Sequence, residues 1–367
     1  MSKSEGIKLF FLGCLFFSLL QRADALNINV TYDVSVSNAV NSAQIQSAFN
    51  TAAQIIETLY TNPITVNIAV YWGATGPFSG GISLGESQTE VIGTISYAQL
   101  TNALRNARTT AIMSNAVASL PPSDPIAGNS WWIPRPEIKA LGIGGLGVSA
   151  NDTNNDGAVG FASTVNFTFN PTNRAVPGDY DFIGVATHEI TEVMGRTTFG
   201  LDGTYLPYDL FRFTNSGARS FNINSTNVYF SVDDGVTELR AFNTNGNGGD
   251  IQDWATPSSG LADSFDAFIS SGVEGTLSYA DLAAVNVLGY KLKYSPPLLS
   301  ATNSGGNIVL TYTNVTGTTY AVLATTNLAL SITNWMNLGT NIDGVPGHYQ
   351  FTNSRSNQAR FYRVKLN

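Results

Sequence analysis

Apolar positions recur with two different periods early in the chain. Over residues 38–60 they come at steps of three and four, beginning with Ile45, Phe49 and Ala52, which predicts an amphipathic helix. Over residues 64–72, in the run ITVNIAVYW, apolar and polar residues alternate instead, which predicts a half-buried strand. The two patterns together predict a fold that mixes helices with sheet.

A further apolar stripe predicts a helix in residues 179–195. Asp179 is a suitable N-cap for it, and Gly195 is the kind of residue that follows a helix C-terminus. The predicted buried stripe consists of Phe182, Ile183, Ala186, Ile190 and Val193. This helix would carry the sequence HEITE at residues 188–192.

Capping and turn residues mark three more elements. Ser96 is an N-cap for the helix predicted after it, and Ser278 with Asp281 forms a capping box for another. The run NVYFSVDDGVTELRAFN predicts a hairpin that turns at Asp233, Asp234 and Gly235. The Pro-rich run LPPSDP and the later run WWIPRPE are predicted to be loop.

The end of the chain has a different pattern. Residues 293–367 contain only short strand-like runs such as IVLTYTNV, YAVLATT and FYRVKLN, which predicts a small β-sandwich. The predicted fold class is therefore α+β. A catalytic domain with a mixed sheet and an active-site helix would occupy residues 26–292, and the sandwich would follow it.

The first 25 residues have the features of an export signal. Lys3 and Lys8 flank the start, LFFLGCLFFSLL is apolar, and ADA offers small residues at a cleavage site. A bilayer takes about 20 apolar residues to span, so we predict a secreted protein, extracellular or periplasmic, without a membrane span. Cys14 is the only cysteine and lies in this segment, which leaves no thiolate site beyond it.

Charge and composition narrow the classes of partner. The net charge is −8, and only 12% of the residues are charged. A chain this acidic is a poor binder of nucleic acid. A surface built from Asn, Thr, Ser and Gly suits an extracellular protein better than a cytosolic enzyme.

The HEITE run places possible metal ligands on one helix face. His188 and Glu192 are four residues apart, so their side chains lie one turn apart and can converge on one ion. Zinc binds nitrogen and carboxylate oxygen, and a catalytic zinc has three protein ligands and one open position. Glu189 is rotated about 100° away, which suits a base that takes a proton from water. The alternative is a helix whose polar face is simply exposed to solvent.

The third ligand has to come from outside this helix. The candidates are Asp209, in YLPYDLFRF, and Asp202, beside a glycine in a predicted turn. We favour Asp209 because its neighbours are apolar, which makes a purely solvated role less natural for it. The alternative for Asp209 is an ion pair with Arg196 or Arg212.

A second candidate cation site lies in NDTNNDGAVGF. Asp152, Asn154, Asp156 and Gly157 have the spacing of a calcium loop, whose twelfth position calls for glutamate where this chain has Ser163. Clusters of Asp, Asn and Gly also form ordinary turns. Ca²⁺ is therefore a secondary prediction beside Zn²⁺.

Several sequence blocks together resemble one known family. ATHEITEVMGR, PYDLFRF, FSVDDGVTELRAFN, GGDIQDW and DLAAVNVLGY occur in this order. Together they resemble secreted bacterial zinc metalloproteases of a zincin-like or metzincin-like kind. The resemblance covers residues 26–290. It implies a zinc peptidase with His188 and Glu192 as ligands, Glu189 as base and Asp209 completing the site.

The metzincin pattern HExxHxxGxxH is only partly matched. Glu192 stands at the second histidine and Thr198 at the third, and no methionine lies between Met194 and Met336 to form a Met-turn. The tail after Tyr290 resembles fibronectin-III-like modules, which implies attachment to a surface or matrix.

Two functional hypotheses follow. The first is a secreted zinc-dependent endopeptidase that acts on protein or peptide substrates through a metal-activated water. The second is a non-catalytic adhesion or surface-binding protein with a structural or vestigial metal site.

Overall fold

The computed structural model describes residues 25–201, 203–256, 262–293, 300–313, 320–330, 334–341, 348–354 and 360–366. The predicted export signal, up to residue 24, and Asp202 lie outside the described residues. No helix in the described part of the chain is long and apolar enough to cross a membrane.

The described residues form a mixed α/β structure with several sheets. The α-helices are α1 (Val34–Ser37), α2 (Ser42–Leu59), α3 (Tyr97–Asn106), α4 (Ala111–Ala118), α5 (Arg135–Leu141), α6 (Phe182–Val193) and α7 (Tyr279–Asn286). Two short 3₁₀ helices span Gly76–Phe78 and Pro207–Phe211.

The strands up to residue 241 are β1 (Asn27–Tyr32), β2 (Thr65–Trp72), β3 (Gly85–Thr89), β4 (Val91–Ile95), β5 (Ser130–Pro134), β6 (Gly157–Phe161), β7 (Phe167–Thr168), β8 (Tyr180–Asp181), β9 (Thr204–Tyr205), β10 (Arg212–Asn215), β11 (Ala218–Arg219), β12 (Tyr229–Phe230) and β13 (Arg240–Ala241). Those after residue 293 are β14 (Ser300–Ser304), β15 (Asn307–Thr313), β16 (Tyr320–Thr325), β17 (Met336–Asn341), β18 (His348–Ser354) and β19 (Phe361–Leu366).

The main sheet has the strand order β1-β2-β6-β3. β1, β2 and β6 are parallel, and β3 pairs antiparallel with β6 at the edge. Helices α2 and α6 pack against each other, and α6 also contacts β3 and β6. Within this core, the rings of Phe161 and Phe182 lie 4.5 Å apart. The apolar stripe of α6 is therefore buried, as its sequence predicts.

Smaller sheets surround this core. They have the orders β4-β5-β9 and β11-β10-β12-β13, with β7 and β8 forming a parallel pair. The hairpin predicted around Asp233 is present, since β12 pairs antiparallel with β13. At its turn, Asp234 and Gly235 both adopt positive φ angles, 61° and 76°, a conformation that Asp and Gly tolerate better than most residues.

The tail contains two three-stranded antiparallel sheets, β14-β15-β18 and β17-β16-β19. The ring of Tyr320 in one sheet meets those of Tyr312 and Tyr349 in the other at 5.5 and 5.1 Å. Arg363 of β19 donates a hydrogen bond to Leu277 O at 3.1 Å, which joins the tail to the segment before α7.

Two local predictions were wrong. The run WWIPRPE forms β5 and the start of α5 rather than loop, because Trp131 and Ile133 are fully buried in the core. Pro136 is tolerated because it stands in the first turn of α5, where no intrahelical N–H bond is needed. The helix predicted over residues 38–60 begins later, at Ser42. The N-cap Ser96 and the capping box of Ser278 with Asp281 are confirmed, and Ser96 also forms a capping box, with Gln99.

Candidate metal centre

Helix α6 begins after Asp181, not after the predicted cap Asp179. The Asp181 carboxylate does not cap the helix; it binds Arg174 through two hydrogen bonds of 3.0 and 2.6 Å. It also accepts one from Gly275 N at 3.0 Å. The residue before the helix is thereby tied to a neighbouring segment at Arg174 and to a distant one at Gly275, which fixes the start of α6.

His188 lies on α6 with its two ring nitrogens in different environments. Nδ1 lies 2.8 Å from Ser264 O, and since a carbonyl only accepts, Nδ1 carries the hydrogen. Nε2 faces Glu192 Oε1 at 3.4 Å and Asp253 Oδ1 at 3.3 Å. A carbonyl that orients the ring in this way is typical of histidines that bind metals.

The charge state of His188 without metal follows from these contacts. Burial alone would lower the pKa of its imidazole, but the carboxylates of Asp253 and Glu192 outweigh burial and raise that pKa well above its usual value. The metal-free centre therefore contains an imidazolium paired with two carboxylates.

Both oxygens of Glu192 have donors. Gln252 Nε2 donates to Oε1 at 3.1 Å, and Ser87 Oγ of the edge strand β3 donates to Oε2 at 2.8 Å. Burial alone would raise the pKa of Glu192, but the charges of His188 and Arg196 and the hydrogen bond from Gln252 lower it. Glu192 is therefore a fixed, ionised carboxylate.

Asp253 is the residue that sequence reasoning missed. It comes from GGDIQDW, and its backbone exchanges hydrogen bonds with the segment before it, through Asn243 N at 2.8 Å and Asp250 O at 3.4 Å. The next residue, Trp254, is fully buried. The only sequence signal was that GGDIQDW belongs to the blocks that carry the family resemblance.

Arg196, which follows the C-terminal end of α6, contacts the carboxylates of both Glu192 and Asp253. Its Nη1 lies 2.7 Å from Asp253 Oδ1, and its Nη2 lies 3.5 Å from Glu192 Oε1. The guanidinium is fully buried and stacks 4.1 Å from the centre of the Phe265 ring. Arg196 is thus an ion-pair partner of Asp253, and the predicted alternative of a pair between Arg196 and Asp209 is not found.

Two pairs of candidate ligand atoms have the spacing expected around a metal ion. Two ligands bound to zinc at about 2.0–2.1 Å with tetrahedral geometry lie about 3.3–3.4 Å apart. His188 Nε2 is 3.4 Å from Glu192 Oε1 and 3.3 Å from Asp253 Oδ1. One nitrogen and two carboxylate oxygens are also a donor set that zinc accepts. Each of these two carboxylate oxygens taken singly therefore lies at zinc-ligand spacing from His188 Nε2. Among the described residues, the possible ligand atoms within 4.8 Å of one another form two groups, His188 with Glu189 and Glu192, and Glu192 with Asp250 and Asp253. One ion held by His188, Glu192 and Asp253 together would require the two carboxylates to move closer to each other.

Asp209 does not join this group. It is fully buried in the 3₁₀ helix Pro207–Phe211, where its Oδ2 accepts a hydrogen bond from Leu206 N at 2.9 Å. Burial raises the pKa of Asp209 to about 6, against the smaller lowering effects of that hydrogen bond and of Arg212. Its carboxylate is used locally because a 3₁₀ turn leaves backbone N–H groups to be capped. We therefore replace Asp209 by Asp253 as the candidate third ligand.

Glu189 lies beside the candidate ligands. One ligand atom of each of His188, Glu189 and Glu192 lies within 4.8 Å of the others. Burial, followed by the charge of Glu192, raises the pKa of Glu189 well above its usual range. A Cβ at Gly85 of β3 would come within 2.4 Å of Glu189 Oε1, so the absence of a side chain at Gly85 makes room for this carboxyl group.

A second acidic residue borders the centre. Asp250 is exposed, and one of its oxygens lies within 4.8 Å of those of Glu192 and Asp253. Partial desolvation of its carboxyl group, followed by the charges of Glu192 and Asp253, raises the pKa of Asp250 to about 6. The solvent-facing side of the centre is therefore acidic.

The predicted calcium loop is occupied by cationic side chains. Lys139 Nζ lies 2.6 Å from Asp156 Oδ2, Arg135 Nε lies 3.1 Å from Asp156 Oδ1, and Arg135 also pairs with Asp152. These pairs use the carboxylate oxygens that calcium would need. We do not propose a calcium site there.

No protein-family model, curated protein or solved structure matches this chain significantly. The resemblance to secreted zinc metalloproteases therefore stays a prediction from the sequence blocks.

Proposed function

We propose that this chain is a secreted metal-dependent endopeptidase with a zincin-like active site. His188, Glu192 and Asp253 would hold the metal, and Glu189 would be the base. The observation that carries the proposal is the position of Asp253 Oδ1 and Glu192 Oε1 at 3.3 and 3.4 Å from His188 Nε2. Glu189 beside them adds the base that hydrolysis needs.

Each residue has a distinct chemical role. Zinc, when bound, supplies Lewis-acid activation of water and of the scissile carbonyl. Ser264 O fixes the ring of His188. Glu189, in its carboxylate form, would take the proton of the attacking water and return it to the leaving amine.

The edge strand β3 supports a peptide as substrate. Within the described residues, β3 pairs with β6 on one side and with no strand on the other. An extended peptide can add to such an edge through main-chain hydrogen bonds. Gly85 and Ser87 of β3 contact Glu189 and Glu192 respectively, so a peptide on this edge would run past the base.

A proteolysis assay with one active-site variant tests this proposal. Wild type, Glu189→Ala and the control Glu238→Ala, an exposed glutamate, would be compared on casein after loading with zinc. We expect Glu189→Ala to lose activity and to keep its zinc, while Glu238→Ala behaves as wild type. Equal hydrolysis by all three proteins, or none by wild type with full zinc content, would overturn the endopeptidase proposal.

One observation favours the second candidate, a non-catalytic adhesion or surface-binding protein. Arg196 pairs with Asp253 at 2.7 Å, and buried His, Arg, Glu and Asp can form a structural ion-pair network without metal. For that candidate, wild type would not hydrolyse casein whether or not zinc is bound, since a structural or vestigial metal site has no catalytic role.

A further inference from the structure

Arg196 occupies an unusual position for a buried arginine. Its guanidinium contacts Asp253 Oδ1 at 2.7 Å and Glu192 Oε1 at 3.5 Å, the same two oxygen atoms that face His188 Nε2. Arg196 also donates to Thr191 Oγ1 at 3.1 Å and to His188 O at 3.3 Å. Four contacts therefore fix it against the backbone and side chains of the candidate centre.

The two carboxylates need compensation inside the protein. The side chains of Glu192 and Asp253 are each only 5% exposed to solvent. A buried carboxylate without a partner is strongly unfavourable. In metal sites that contain only ligand residues, the metal itself compensates the charges of the carboxylates, and such proteins often fail to fold without the metal. Here a fixed cation of the chain already lies at both ligand oxygens.

We infer that Arg196 is a built-in countercation that keeps Glu192 and Asp253 paired while no metal is bound. It is a positioning residue, and this role rests on the metal centre proposed above. The guanidinium and a divalent ion would contact the same two carboxylate oxygens, so the guanidinium competes with the metal for these oxygens and repels it. The fold then does not depend on metal, at the cost of weaker metal binding.

Substitution by methionine separates the two roles that Arg196 could have. Met keeps an unbranched apolar chain against Phe265 and removes the charge. If Arg196 is a countercation, Arg196→Met should bind zinc about tenfold or more tightly than wild type, because a cation a few ångström from the metal is gone. If Arg196 only orients the ligands, its loss should weaken zinc binding about 10–100-fold.

Arg212 provides a matched control. It is also buried and lies 4.3 Å from the centre of an aromatic ring, that of Phe242, but it donates to Ile251 O rather than to a carboxylate of the centre. Arg212→Met should lose stability and keep wild-type zinc affinity. Arg196→Lys retains the charge but not the planar guanidinium. It should bind zinc more weakly than Arg196→Met, and it should be less stable than wild type without metal because contacts of the guanidinium are lost.

The experiment measures thermal unfolding and zinc titration for the four full-length secreted proteins, each in chelator and in excess zinc. The inference requires a larger zinc-induced rise in melting temperature for Arg196→Met than for wild type and Arg212→Met. An equal or smaller rise overturns it and leaves the metal centre intact. If zinc shifts none of the proteins, the metal centre itself fails, and the inference fails with it.

A double variant covers the case in which Arg196→Met does not fold without metal. Arg196→Met combined with Asp253→Asn removes both partners of the pair, and it should be more stable in chelator than Arg196→Met alone, because no uncompensated Asp253 charge remains. A double variant that is no more stable than Arg196→Met would overturn the inference.

Discussion

Asparagine at position 253 tests the identity of the third ligand most directly. Asp253→Asn keeps the size of the side chain and removes its charge. His188 Nε2 would then face a neutral amide in place of the carboxylate oxygen now at 3.3 Å. Arg196 would lose its ion pair of 2.7 Å.

The expected effects follow from the burial of this pair. Removing one member of a buried ion pair costs about 3–5 kcal/mol, since the remaining charge stays uncompensated. Even outer partners of metal ligands change affinity about 10–100-fold, and a ligand itself should matter more. We expect Asp253→Asn to lower the free energy of unfolding by about 3 kcal/mol and to weaken zinc binding by more than about 100-fold.

Asp209→Asn is the matched variant. Burial raises the pKa of Asp209 from 3.8 to about 6, so holding this carboxylate charged at pH 8 costs about 3 kcal/mol. Asparagine carries no such cost and can still accept the hydrogen bond from Leu206 N. Asp209→Asn should therefore keep its zinc and lose no stability.

The assay compares wild type and the two variants at pH 8. Zinc content after dialysis against a weak chelator, zinc affinity by competition titration and thermal unfolding would be measured on the same samples. Full zinc content in Asp253→Asn together with its loss in Asp209→Asn would refute the assignment and restore Asp209 as the ligand.

Three further predictions concern the protonation of His188, the buried carboxyl group of Glu137 and the space around Glu189. Zinc binding should release a proton, because the raised pKa of His188 keeps the imidazole protonated without metal. The affinity for zinc should therefore fall as pH falls. Calorimetry in two buffers of different ionisation enthalpy measures this, and a result without proton release would contradict the prediction. Burial raises the pKa of Glu137 well above its usual value. The contribution of this carboxyl group to stability is therefore present below its unfolded pKa and is lost as pH rises through its folded pKa. Glu137→Gln should melt at a higher temperature than wild type at pH 8, and the difference should be smaller at pH 5. Gly85→Ala should displace the Glu189 carboxyl group, because a Cβ there would lie 2.4 Å from Glu189 Oε1, whereas a Cβ at Gly93 meets nothing within 4 Å. We expect Gly85→Ala to reduce proteolysis and Gly93→Ala to leave it unchanged, with the zinc content of both unchanged. Equal proteolysis by the two variants would count against Glu189 as the base.

The elements that sequence reasoning predicted best are those with strong local signals. The N-cap Ser96, the capping box at Ser278 and the hairpin turn at Asp233 depend on residues a few positions apart. The elements it assigned wrongly are β5 and α5, where a Pro-rich composition suggested loop. Burial of Trp131 decided the outcome there, because tertiary packing outweighs weak local preference.

The cap of α6 shows the same limit at the site itself. Asp179 and Asp181 are both acceptable N-caps by composition. Asp181 became the first residue before the helix because Arg174 and Gly275 N bind its carboxylate, and the second of these partners is distant in sequence. The residues of the predicted calcium loop show a related limit, since the partners of Asp152 and Asp156 are Arg135 and Lys139 of another element.

By itself, the sequence determined that His188, Glu189 and Glu192 stand on one helix with the spacing of ligands and base, because the helical period relates residues four apart wherever the helix lies. For the third ligand, apolar neighbours favoured Asp209 over Asp202, and beyond the block GGDIQDW no local signal marked Asp253. Only the tertiary structure brought Asp253 to His188. Burial of Trp254 and Phe265 in the common core carries their segments over the end of α6, and contacts of that range are set by packing of the whole domain.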